Sequence, residues 1–373
     1  TKKETEALLR KAIDEYEKTG SHFEPSEMSV SDYMDEWYNK YVMINCKYNT
    51  QNGYKQLIDN HIKPVIGMYK LKSLSPAVLQ QFINDKYLTG YSKSHLTNMY
   101  ALLSGSLKYS VQPLKYRQDN PMQYVRMPKY EVTKEDLDKH ILTSEEYNKM
   151  LERFPLRSTF RASIVIGYHT GLRIGETMGL TWEDIDLENG WLAVNKQLTK
   201  DTLTRYLGPT KTTSSMRKIK IGKTLIKELK EQRRWQLESR FRYGEHYVQQ
   251  YESVERVGPK EMRRIYSLPV HLPVPPKFKR VDFVNIKEDG EFLTTDSLKY
   301  PSRVIHYSLG IEFNYHCLRH THATMLIEAG ANPKDVQARL GHSRISTTLD
   351  TYTKSTEKMA NNTVNIFEKI ISK

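Results

Sequence analysis

Cysteine is nearly absent. Cys46 and Cys317 are the only two in 373 residues, far apart and outside any CxxC pair. That excludes a disulfide framework and a cysteine-built zinc module, and it fits a reducing compartment. No run of about 18 apolar residues occurs, so no helix is expected to span a membrane, and no secretory signal pattern is visible. Acidic residues are outnumbered, with 44 Asp and Glu against 57 Lys and Arg, for a net charge of +13 and a pI near 9.3. That balance favours a polyanionic partner, because each neutralised phosphate releases counterions. A solvated basic surface with no partner is the plainer alternative. The 38% hydrophobic and 27% charged composition is globular rather than disordered, and the length allows two or three domains. Tyrosine is plentiful, at 25 residues, and its hydroxyl bonds phosphate oxygens as readily as water. The first residue is Thr1 rather than Met, which reads as a start inside a longer protein.

Periodicity predicts a helix-rich chain. Residues 1–19 carry a weak apolar stripe ended by Gly20. A helix starting near Ser29 places Val30, Tyr33, Met34, Trp37 and Tyr41 on one face. A second is expected over about 49–63, halted by Pro64. Ser75 and Pro76 open a third, and Leu96, Met99, Leu103 and Leu107 mark a fourth. Four helices in so short a stretch suggest a small all-α domain. Residues 117–140 hold two prolines, many charges and no apolar period, and read as a linker.

Thr143 or Ser144, with a glutamate close behind, then caps a new helix. "FRASIVIGYHTGLRIGETMGL" reads as a buried helix broken at Thr170–Gly171 and followed by a new turn. "GWLAVNKQL" and "MRKIKIG" alternate as strands. A long polar helix covers Lys223–Tyr243. Residues 244–279 read as a hairpin insertion or a long loop. Asp289–Gly290 marks a turn between short strands, with a helix after them. Helices follow at about His316–Ala329, stopped by Gly330, and from Asn332–Pro333 to Gly341, then a short stretch from Ser346 to Tyr352. The tail, 357–373, carries Val364, Ile366, Phe367, Ile370 and Ile371 on a helical stripe. No internal repeat is evident.

The segment "YHCLRHTHATMLIEAGANPKDVQARLGHSRISTTLDTYTK" is the densest in chemistry. A metal site fits it poorly. His316 and His320 are spaced i, i+4, but the HExxH glutamate is missing and Arg319 between them would repel a dication. Phosphate chemistry fits better. His316 and Arg319 project from one helical face, and a guanidinium offers phosphate oxygens a planar fork of donors. Arg173 sits at a Gly-flanked helix start, where backbone N–H groups favour an anion. Two arginines from separate elements could clamp both non-bridging oxygens of one phosphodiester. Lys211, on the turn between strands in "GPTKTTSS", could protonate a leaving oxygen. His342 could donate one more hydrogen bond, and Tyr352 could attack phosphorus. Taken singly, each has an ordinary explanation: a surface cation, a loop charge, a core histidine, a packing tyrosine.

In order along the chain, R-I-G-E after "TG", H-C-L-R followed by H-T, L-G-H-S and a late T-Y resemble the tyrosine recombinase family, in its phage and conjugative-transposon integrase form. The likeness covers residues 26–373. It implies several domains: an all-α, SAM-like core-binding domain over 26–116, the linker 117–140, and a mainly α (α+β) catalytic domain with a small antiparallel sheet over 141–356. It also implies an oligomerisation helix over 357–373, with 1–25 either the remnant of an arm-binding domain or a leading helix.

The implied reaction is DNA strand cleavage and rejoining through a 3′-phosphotyrosyl link, with no metal and no cofactor. Tyr352 would be the nucleophile, Arg173 and Arg319 the phosphate clamp, Lys211 the general acid and His316 the general base. His342 would bond the phosphate and Glu176 would support the site. Lys200, Lys218 and Lys220 are the other hairpin lysines. Lys93, Ser94, His95 and Arg126 are candidate DNA contacts. The implied partners are double-stranded DNA, three further protomers of a tetramer linked by the tail in trans, and an accessory bending or excision factor. The expected setting is the bacterial cytoplasm, at the nucleoid, with no membrane. A type IB topoisomerase and a non-catalytic DNA-binding regulator are the alternatives.

Overall fold

The computed structural model describes residues 26–131, 140–201, 204–210, 215–257 and 260–345, together with 5, 6, 9, 10 and 13. It divides into two compact units, Thr1–Thr133 and Lys134–Lys373.

The first unit is helical. Ser29 caps α1 (Val30–Trp37), its hydroxyl accepting from the Asp32 N–H at 3.0 Å. Val30, Tyr33, Met34 and Trp37 are buried as the period predicts. A π turn, Tyr38–Val42, follows. Its extra residue rotates the buried face, so Val42 points inward while Tyr41, expected on that face, is 37% exposed and stacks on Trp37. α2 (Tyr48–Leu57) runs through a second π turn, Ile58–Ile62, into α3 (Lys63–Ile66). Pro64 therefore does not halt this helix. The Lys63 N–H reaches the Ile58 carbonyl, five residues back, and the widened turn accommodates a ring that a regular α turn would exclude. Ser75 caps α4 (Pro76–Leu88) and Ser92 caps α5 (Lys93–Val111). Leu96, Met99, Leu103 and Leu107 of α5 are fully buried in the unit's core.

The stretch read as a linker over 117–140 is in its first part docked on this unit. Met122 and Val125 are buried, and the Arg117 guanidinium donates to the Leu71 carbonyl. The Arg126 N–H donates to Gln80 Oε1 at 2.8 Å and the Tyr130 hydroxyl to the Tyr91 carbonyl at 2.7 Å. Charges and prolines hid these anchors, because single apolar residues spaced irregularly carry no period.

The second unit opens with α6 (Ser144–Arg153), where Thr143 and Glu146 form a reciprocal capping box. α7 (Arg161–Thr170) is buried nearly all round and ends at Gly171, whose φ of 66° no side chain adopts cheaply. α8 (Ile174–Met178) follows at once.

Two antiparallel sheets stand where one was expected. β1 (Ile185–Asp186), β2 (Trp191–Val194) and β5 (Arg217–Lys220) form the first. β3 (Lys196–Asp201), β4 (Thr204–Pro209), β6 (Val248–Val257), β7 (Lys260–Pro269) and β8 (Lys279–Val281) form the second, in the order β3-β4-β7-β6-β8. The run "GWLAVNKQL" is thus split between sheets at Asn195. The 204–209 segment pairs along its length with β3 and at Tyr206 and Leu207 with β7, and both of those side chains are buried. Within 244–279, β6 and β7 pair as a hairpin and an irregular stretch over 270–278 leads to β8; Ile265 of β7 enters the main core.

α9 (Lys223–Tyr243) spans the predicted range. α10 (Lys299–Leu309), α11 (Tyr315–Glu328) and α12 (Pro333–Leu340) complete the unit, α12 capped by Asn332 and stopped by Gly341 at φ 69°. The architecture is an all-α unit followed by a mainly helical one with small antiparallel sheets. The segments 1–4 and 346–373, with their expected helices, lie outside the described residues. Among those described, no helix is long and apolar enough to cross a membrane.

Candidate active site

The site forms where α7, α8, α11 and the end of α12 approach. Glycine sets the closeness of α7 to α11: a Cβ on Gly167 would stand 2.7 Å from both Leu318 Cδ1 and the Tyr315 hydroxyl. Arg319 leaves α11 on the buried side, 2% exposed. Its guanidinium bridges two helix ends, with Nη1 donating to the Gly171 carbonyl at 2.7 Å and Nη2 to the Leu340 carbonyl at 2.8 Å. Arg173 occupies the N-cap position of α8. Its Nη1 donates to Glu176 Oε1 at 2.9 Å and its Nη2 to the Gly341 carbonyl at 3.2 Å. Its side chain keeps 31% exposure, whereas Arg319 is buried.

The helix start at Arg173 was expected to favour an incoming anion. The protein's own Glu176 takes that place, its Oε2 accepting from the Arg173 N–H at 3.0 Å. Glu176 is 2% exposed. Burial alone would raise its carboxyl, but the Arg217 guanidinium first, and Arg173 second, hold it below the usual carboxylate range.

His316 lies one turn before Arg319 on α11, exposed, its ring edge-on to His320 with centroids 4.6 Å apart. His342 directly follows Gly341, its N–H donating to the Gln337 carbonyl at 3.1 Å. Its imidazole is held down to about 3, by burial first and then by the nearby guanidiniums of Arg319 and Arg173 and, less, by His316 and Arg217. It is therefore neutral at ordinary pH and able to give or take a hydrogen bond. Arg173, Glu176, His316, Arg319 and His342 are thus brought together.

Lys211 and Tyr352 lie outside the described residues, although Thr210 and Ser215, on either side of the lysine segment, are both buried. The other hairpin lysines have occupations of their own. Lys200 meets Asp296 at 3.5 Å, and Lys220 donates to the Asn189 carbonyl at 2.5 Å and sits over the Trp191 ring. Lys218 is exposed.

Sequence reading passed over Arg217. The signal was there: Arg217 and Ile219 share one face of β5, and Ile219 is buried. It also passed over Arg339, and it weighed His322 only as a metal ligand beside His316 and His320, whereas the two side chains together hold α12. Arg339 Nε donates to His322 Nε2 at 2.9 Å, and its two Nη atoms hold the Lys220 and His169 carbonyls.

In the first unit, Lys93 and Ser94 are exposed on the opening turn of α5, and Arg126 is exposed. His95 is different: its ring packs against Tyr91 and His61, and its Nε2 is shielded from solvent. Among the described residues no group of three or more His, Cys, Asp or Glu is placed to hold a metal ion.

Comparison with known proteins gives this arrangement its context. The Phage integrase family model matches residues 140–359, and the model of the phage integrase N-terminal SAM-like domain matches 29–87. The integrase of Staphylococcus phage L54a is 25% identical over 97% of this chain and 99% of its own. A XerC-like tyrosine recombinase of Caldanaerobacter subterraneus is 26% identical over 98% and 88%. The transposase of transposon Tn916 from Enterococcus faecalis is 26% identical over 83% and 70%. In fold, the chain is similar to the Tn1549 transposon integrase solved with a circular intermediate DNA (TM-score 0.65, 22% identity, 91% of this chain and 99% of that one). It is also similar to a lambda integrase dimer on a core site (TM-score 0.56, 17% identity, 86% and 97%).

Proposed function

Since the chain belongs to the phage integrase family, as a site-specific tyrosine recombinase of the mobile-element type that cuts and rejoins DNA strands, we propose that the cut is made by Tyr352 on a phosphodiester held between Arg173 and Arg319. The observation that carries this is the shared anchor. Two arginines distant in sequence are fixed by adjacent carbonyls, Leu340 and Gly341, and His342 is the next residue. Two guanidiniums and a neutral imidazole thereby meet at one point of the chain.

A phosphodiester repels nucleophiles because it is charged. The arginines offset that charge, and the offset grows in the pentavalent transition state. Tyr352 attacks in line, forming the bond from its oxygen to phosphorus as the bond to the 5′ oxygen breaks. The strand is left with a 3′-phosphotyrosyl link and a free 5′-hydroxyl. Lys211 delivers the proton to the departing oxygen, and His316 takes or holds that of the phenol. His342, kept neutral, donates to a phosphate oxygen. Attack by another strand's 5′-hydroxyl reverses the chemistry at a new partner and conserves the bond energy.

The partner is double-stranded DNA and the working form an oligomer. In our reading this is a tetramer, with residues 26–116 gripping the core site and 117–140 joining them to the chemistry of 141–356. The tail 357–373 packs on a neighbour, and an accessory bending or excision factor sets direction. Exposed Lys93, Ser94 and Arg126 suit phosphate contacts. His95 is assigned to packing.

The test is a nicked suicide substrate that traps the cut strand. The chain should form a covalent protein–DNA band that disappears in Tyr352→Phe while DNA binding persists. A band of equal strength in that variant would refute the assignment.

A further inference from the structure

We propose that Arg217, a residue with no part in the chemistry above, is the positioning residue that fixes both halves of the phosphate clamp; this rests on the assignment of Arg173 and Arg319 just made. The last carbonyls of a helix have no partner within it and form its negative end. At the end of α12 three successive ones each accept from a different arginine. The Arg339 carbonyl takes Arg217 Nε at 2.6 Å, that of Leu340 takes Arg319 Nη2 at 2.8 Å, and that of Gly341 takes Arg173 Nη2 at 3.2 Å. Arg217 thus pins the same chain end that aims the two clamp arginines.

Arg217 reaches Arg173 by a second route as well. Its Nη2 meets Glu176 Oε2 at 3.0 Å and its Nη1 meets Oε1 at 3.4 Å. That carboxylate holds both the backbone N–H and the guanidinium of Arg173. Arg217 Nη1 also donates to the Ser215 carbonyl at 2.8 Å, at the close of the segment that carries Lys211. Four of the five N–H groups of Arg217 are spent on the Arg339 carbonyl, the Ser215 carbonyl and both oxygens of Glu176, so it acts through the groups it holds.

Charge makes the role testable. Glu176 faces Arg217 from β5, Arg173 at the start of α8, and the Tyr315 hydroxyl from α11. Without Arg217 the buried carboxylate keeps one partly exposed cation, so its proton affinity must rise. Below the raised pKa it turns neutral and loosens its hold on Arg173; above it the hold returns.

The experiment uses the full chain with Arg217→Gln, Arg217→Lys, and the double change Arg217→Gln with Glu176→Gln. It measures DNA affinity, thermal melting and single-turnover covalent-band formation between pH 5.5 and 8.5. Arg217→Gln should bind DNA within about threefold of the parent and cleave about a hundredfold more slowly at the acid end. Its cleavage should recover as pH rises along a limb the parent lacks. Arg217→Lys should restore part of the rate. The double variant should stay slow but lose the limb, and it reports even if the single change folds poorly.

Parental rates in Arg217→Gln would overturn the proposal. So would losses of cleavage, binding and melting in equal measure across all three variants, or a pH profile parallel to the parent's. Persistence of the band in Tyr352→Phe would instead sink the assignment of the site, whatever Arg217 does.

Discussion

Arg319→Lys separates charge from geometry, because lysine keeps the cation and loses the fork. Arg319 spends one nitrogen on the Gly171 carbonyl and another on that of Leu340, at 2% exposure. An ammonium can hold one of these and not both while still facing a phosphate. Leaving one buried carbonyl without its charged partner costs about 1–3 kcal/mol. For a unit of this size about 2 kcal/mol corresponds to a melting decrease of roughly 4–8 °C. The kinetic loss should be larger. Removing one aimed donor from a developing charge typically costs about 10²–10³ in rate, whereas affinity for DNA, with the charge retained, should change only a few-fold. Covalent-band formation on the suicide substrate, equilibrium binding at fixed salt and thermal melting give the three numbers. If cleavage stays near the parental rate while melting falls, Arg319 is a structural strut and not part of the clamp. If cleavage and binding fall together, it is a docking residue.

Two further outcomes follow from the same geometry. His322 and His342 are both held near 3, by burial first and by neighbouring arginines second, against an ordinary value of 6.5. Between those values only the unfolded chain takes up their protons, so stability is full above about pH 6.5 and falls as pH drops. The slope approaches about 1.4 kcal/mol per pH unit for His322 and less for the half-buried His342. His322→Gln should flatten melting curves taken at pH 7, 6 and 5; an unchanged slope would contradict the assignment. Gly171→Ala forces a Cβ into a φ of 66°, 2.6 Å from Leu340 Cδ2 and 3.0 Å from the His322 ring. Strain of about 1–2 kcal/mol plus a displaced Leu340 should lower both melting temperature and cleavage, and a melting temperature equal to the parent's would show the contact to be looser than described.

The sequence by itself determined most of the helices of both units, because strong local rules speak wherever a cap or a steady period is present. Ser29, Ser75, Thr143 and Asn332 cap their helices as their types demand. The order of Arg173, Glu176, His316, Arg319 and His342 along the chain was legible as well, and the structure brings these five together. Sequence reading failed where distant chain decides. Pro64 continues a helix through a π turn, Tyr41 loses its buried place to Val42, and the run read as one strand from Gly190 is split between two sheets at Asn195.

Only the tertiary structure decided how the site is held. A backbone carbonyl has no residue identity, so no motif reveals that three of them at the end of α12 receive Arg217, Arg319 and Arg173 from three other elements. Nor could charge counting reveal that Glu176 sits buried between two guanidiniums. Aiming a clamp depends on where a helix ends in space, and that is fixed by packing among segments more than a hundred residues apart.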